Sequence, residues 1–221
     1  MTDSLEELAW NCLDAPCLEL APTQSAALIS AGANSVFPLL RSGLRWIAQY
    51  GEERARDFIE VNKDSSAGAV FAALLLHSTT DIIILGRINN IVRAVGQPAA
   101  DALCRALWER DERMQLLAAL LLSEEEHPSQ RTLKGVEDTL KTLGIRPKEG
   151  SGVLLFRLLL SVLASGGDTR YIHIEQGILK LEGTNKDAYR IHLHGATLNY
   201  LFRSVLPKPS ILSRLRKGLP K

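Results

Sequence analysis

The sequence predicts a mostly α-helical protein: an irregular multi-helix bundle that ends in a small antiparallel β-meander (about residues 169–194) and a basic terminal helix. Three observations carry this. Apolar residues recur at helical spacing over most of the 221 residues. In "GDTRYIHIEQGILKLEGTNKDAYRIHLHG" they fall two apart instead. The last stretch is rich in lysine and arginine. Residues 1–145 form the helical body, and 146–221 add a helix, the meander and basic helices packed on it as one unit.

The first helix starts at Ser4, which with Glu7 makes a capping box. Leu5, Leu8, Ala9, Cys12 and Leu13 then share a face. Pro16 and Pro22 bracket a loop. After a break at "AGANS", Leu40, Leu44 and Ile47 line a helix that Gly51 closes, and Glu52–Val61 is a separate charged helix. Asp64 or Ser65 caps the next helix, which runs to Leu76. In "IIILGRINNIVRAVG" the isoleucine run suits a strand. The polar residues between Ile84, Ile88, Ile91 and Val95 favour a helix, ended by Gly96.

Pro98 opens a helix with Leu103, Cys104, Leu107 and Trp108 inward. Another runs from about Asp111 to Ser123 and is ended by "SEEEHPS", and one more runs from Ser129 to Gly144. "IRPKEGSG" is the clearest linker, before an apolar helix over 153–164.

In the period-two segment, Ile172 and Ile174 share one strand face, as do Leu179 and Leu181, and Tyr189, Ile191 and Leu193. Gln176-Gly177 and "GTNK" fit hairpin turns. The meander's apolar side lies on the helix containing Leu154, Leu155, Leu158 and Val162. Its polar side collects His173, His192, His194, Tyr171, Glu175, Lys180 and Arg190. His192 and His194 alternate on one strand, with His173 beside them. These three are the histidine candidates for a metal, but no third ligand is set by spacing, and no metal or cofactor is expected.

Charge is polarised along the chain. Residues 1–62 hold nine acids and four arginines. Residues 183–221 hold eight bases and one acid, about +7, in a chain that nets +1. In "SILSRLRKGLPK" Leu212, Leu215 and Leu219 align on one side of a helix, and Arg214, Lys217 and Lys221 on another.

The near-zero net charge gives no global attraction to nucleic acid or membrane. No stretch is long and apolar enough to span a bilayer, and "MTDSLEELAW" lacks the basic start of a signal peptide. A cytoplasmic location with three reduced thiols (Cys12, Cys17, Cys104) follows as the expectation. Phosphate-loop, dinucleotide, nucleophile-elbow and zincin motifs are absent.

The expected function is that of a non-enzymatic interaction or assembly protein. Its partner is anionic, nucleic acid foremost, or a neighbouring subunit of a homo-oligomer, or another protein. Contact is expected through Lys180, Arg190, Arg203, Arg214, Arg216 and Lys217. Two alternatives stand beside it. One is a hydrolase or phosphate-processing enzyme using the histidine-bearing sheet face. The other is a peripheral protein whose basic helix lies on an anionic membrane surface.

Overall fold

The structure is a computed structural model that describes residues 4–14, 22–61, 79–143 and 150–205. Among these residues the order is α1 (Leu5–Leu13), α2 (Pro22–Ser30), a 3-10 turn (Gly32–Ser35), α3 (Val36–Val61), α4 (Thr79–Val95) and α5 (Gln97–Ala106). Then come α6 (Glu112–Ser123), α7 (Gln130–Leu143), α8 (Ser151–Ser165), α9 (Thr169–Glu182) and α10 (Lys186–Val205). A helical bundle is what the sequence led us to expect.

Several local signals act as anticipated. Ser4 caps α1, its hydroxyl accepting from the Glu7 amide at 3.2 Å. The isoleucine run is helical, with Ile84, Ile88 and Ile91 buried. Ser129 caps α7 through the Thr132 amide at 3.1 Å. In the helical body two expectations fail. Gly51 does not end a helix, because α3 continues to Val61 and absorbs the separate charged helix. Trp108 is exposed, because α5 stops at Ala106 and the inward spacing no longer applies beyond it. The helix expected before Leu76 and the basic helix after Pro209 lie outside the described residues.

The β-meander does not exist: residues 169–205 form two helices, and the described residues contain no strand. Of the two expected hairpin turns, Gln176-Gly177 is no turn, because it lies inside α9, and "GTNK" is the junction between α9 and α10. Asp168 caps α9, accepting from the Arg170 amide at 2.9 Å. Gly183 takes the left-handed conformation (φ 64°) that closes a helix, with the Thr184 amide reaching back to the Leu179 carbonyl at 3.1 Å. Asn185 then caps α10 through the Ala188 amide at 2.8 Å.

The alternation misled for a specific reason. It depends on Ile174, Leu181 and Ile191, and the fold leaves these three in solvent. The inward face of α9 is instead Tyr171, Glu175, Ile178 and Leu179, and a buried carboxylate makes that face look polar in sequence. The inward face of α10 is Tyr189, Leu193, Leu198 and Leu201.

Helix α8 is the central element. Its Leu155, Leu158, Leu159 and Val162 are buried in the core, and α6, α7, α9 and α10 all pack on it. Burying a leucine contributes roughly 1.5–3 kcal/mol, so this helix supplies much of the cohesion on this side. On the other side α1 lies on α3, and α4 packs on α2 and α3. Helix α10 spans α3, α6 and α8, which places its polar residues beside the end of α6. No helix among the described residues is long and apolar enough to cross a membrane.

Candidate functional site

A polar constellation forms among the described residues where α10 meets the end of α6. Ser123 is the last residue of α6, and Glu124 follows it at the C-cap. His194 comes from the middle of α10, and Arg190 lies one turn before it. His194 Nδ1 lies 2.9 Å from Glu124 Oε1, and its Nε2 lies 3.1 Å from Ser123 Oγ. Arg190 donates to Glu124 Oε2 at 2.9 Å. From α4, Arg93 donates to the Glu124 backbone carbonyl at 3.0 Å. The hydrogen bond with His194, then the nearby charges of His194, Arg190 and Arg93, hold the Glu124 carboxyl below its ordinary value against the opposing effect of burial.

Serine, histidine and carboxylate in this order is the connectivity of an acyl-transfer triad. The surroundings argue for holding rather than attack. Ser123 is buried, and its hydroxyl donates to the Leu120 carbonyl at 2.7 Å, a shorter contact than the one to His194. The neighbouring amides of Glu124 and Glu125 are committed to the Leu121 and Leu122 carbonyls, so they offer no donors to a developing oxyanion. Arg190 also occupies the second oxygen of the orienting carboxylate. The group ties α4, α6 and α10 together.

This arrangement scatters the residues picked out from sequence. In a helix, residues two apart point roughly 200° apart, so His192 and His194 cannot share a face. His192 and His173 are exposed, and only His194 turns to the body. The described residues include no group of three or more histidine, cysteine, aspartate or glutamate side chains able to hold a metal. Lys180 is exposed on α9, whereas Arg190 is engaged by Glu124. Arg203 lies on α10 with its side chain outside the described set, and Arg214, Arg216 and Lys217 lie outside it entirely. Sequence reading missed Ser123 and Glu124 as partners of His194, and Arg93 as a donor to Glu124. The "SEEEH" run was visible, but nothing local connects it to a histidine 70 positions later.

A second polar cluster sits under α9. Lys186 lies 3.6 Å from Glu175 Oε2, and Arg157 of α8 pairs with Glu182 at 2.7 Å while facing the Tyr189 ring at 5.9 Å. Glu175 Oε1 and the Tyr189 hydroxyl are buried without a hydrogen-bond partner. Burial pushes the Tyr189 hydroxyl up to about 12. In a groove between α1 and α3, Arg41 pairs with Glu6 at 2.9 Å, and Arg45 stacks on Trp10 at 4.5 Å.

Comparison with known protein families, with curated proteins and with solved structures gives no match to this chain.

Proposed function

We propose that this chain is a non-enzymatic interaction protein that recognises a protein surface, a neighbouring copy foremost, through the outward side of α9 and the start of α10. One observation carries the reading: three large aliphatic side chains stand in solvent there. Leu181 is 89% exposed, Ile191 72% and Ile174 47%. Single exposed aliphatics are ordinary, but Ile174 and Leu181 fall seven residues apart, on one flank of α9. The half-buried Ile178 links that flank to the core.

Along α9 the flank adjoins the exposed polar residues His173 and Lys180, and on α10 the exposed His192 follows Ile191. An apolar patch with a polar rim is the composition of a protein interface. The anionic-partner branch draws less from the described residues, since Arg190 and Lys186 face Glu124 and Glu175 within the fold.

The test is the mass of the purified chain in solution, with the Ile174→Glu/Leu181→Glu variant beside it. Both positions are exposed, so folding should be unchanged by circular dichroism. The wild type should associate with itself or capture a partner, and the variant should not. The same preparation, checked by its absorbance ratio for copurifying nucleic acid, tests the other branch. Retention on RNA or DNA that weakens steeply with salt, and is indifferent to the variant, would replace this reading.

A further inference from the structure

A groove of about 290 Å³ opens between α4, α5 and the end of α6, and shares Glu124 and Arg93 with the His194 group. Its floor is aliphatic: Val92, Ala100, Leu103, Leu121 and Leu122. Glu124, Glu125 and Glu126 give it an acidic rim just after α6, with Asn89 and Arg93 contributed by α4. Arg93 is committed to the Glu124 carbonyl, and Glu124 to Arg190 and His194. Glu125 and Glu126 pair with no cation among the described residues. Burial alone pushes the Glu125 carboxyl up, which is the mark of a half-desolvated acid without a counter-charge.

An occupant for this groove needs aliphatic side chains for the floor and cations for that rim. The chain carries such a segment. Residues 206–221 hold Lys208, Arg214, Arg216, Lys217 and Lys221, no acid, and the aliphatic Ile211, Leu212, Leu215 and Leu219. The direction of α10 bears on which molecule supplies it. Arg190 and His194 lie at the Glu124 end of α6, while the Tyr200 hydroxyl donates to Glu112, at the other end, at 3.2 Å. So α10 leads away from the groove, by about 18 Å along the twelve-residue α6. The described part of α10 thus ends toward the remote end of its own α6, and reaching its own groove would require the chain to reverse after α10, whereas the groove of a second copy would not.

We infer that the α4–α5–α6 groove of one copy receives the basic C-terminal segment, residues 206–221, of another. The inference rests on the assembly reading but uses a different face, so the two fail separately. The contact is head-to-tail: groove and segment differ, so each copy offers one of each and association can continue beyond a pair.

Sedimentation of three full-length chains tests it: wild type, Glu125→Lys/Glu126→Lys, and Arg214→Glu/Arg216→Glu/Lys217→Glu. Circular dichroism confirms folding of each. The wild type should associate at low salt and revert to single chains near about 1 M salt, where charge interactions are screened beyond about 3 Å. Each variant alone should associate roughly tenfold more weakly. Mixed, the two variants should associate again, because one supplies an intact segment and the other an intact groove. A wild type that stays a single chain at low salt would overturn the inference, as would association indifferent to either reversal, or failure of the mixture to recover. Association abolished by Ile174→Glu/Leu181→Glu yet untouched by these reversals would leave the α9 reading standing and remove this one.

Discussion

Replacing Glu124 with alanine removes the acceptor of two charge-assisted hydrogen bonds, from His194 and Arg190, both at 2.9 Å. Buried bonds of this kind contribute roughly 1.5–3 kcal/mol each. Here about a third of the Glu124 side chain and somewhat more of Arg190 remain in contact with water, so solvent screening brings each nearer about 1 kcal/mol. The expected loss is therefore about 2 kcal/mol in urea unfolding, a midpoint shift of roughly 1 M for a slope of about 2 kcal/mol/M. Glu125→Ala is the control next door; with no cation to lose, it should change stability by less than about 0.5 kcal/mol. The bonds join α10 to α6, so the amides of α10 should exchange faster while those of α8 keep their protection.

The pH dependence has a definite sign. Glu124 is held below the ordinary value of 4.5, so its contribution is complete above that value and disappears as pH falls through the lower folded value. The gap between wild type and variant should close in acid and stay constant above neutrality. A loss below about 0.5 kcal/mol, or a gap unchanged in strong acid, would show that the clasp does not hold α10.

Three further outcomes follow from the packing. Gly166→Ala places a Cβ 2.5 Å from Leu133 Cδ2 at the end of α8, and should cost about 1–3 kcal/mol by overpacking. Leu133→Ala in the same chain should recover part of that loss, measured by a double-mutant cycle. A fluorophosphonate probe should leave Ser123 unlabelled by intact-mass analysis, and labelling that His194→Ala abolishes would establish an acyl-transfer site instead. Burial raises the Cys12 thiol and pushes that of Cys104 up to about 11, where nearby Asp101 and Glu125 add to the effect. Both should resist iodoacetamide at mild alkaline pH until the chain is unfolded, with the modified positions read by peptide mass.

How much was legible varies along the chain, and the cause lies in side-chain burial. Helices α1, α4 and α7 announce themselves because cap residue and apolar stripe agree: Ser4 before α1, Ser129 before α7, and Ile84, Ile88 and Ile91 along α4. Helices α9 and α10 did not, because their inward faces include Glu175 and Tyr189, while Ile174, Leu181 and Ile191 face water. Periodicity assumes that aliphatic means inside, and these residues break the assumption in both directions. The candidate site was legible only as isolated types. His194 was noticed, but for a strand face, and "SEEEH" only as a helix end.

From the sequence alone came the helical class, most helix ends in the first 165 residues, and the concentration of cations after residue 183. Those properties are local, set by propensity, caps and charge over a few turns. Tertiary structure alone decided that residues 169–194 are helical, because the broad apolar surface of α8 accepts two helices there. It also decided that His194 meets Ser123 and Glu124, and that an aliphatic groove opens beneath Glu125 and Glu126. Contacts across 70 positions depend on how helices pack, and no short stretch of sequence records that.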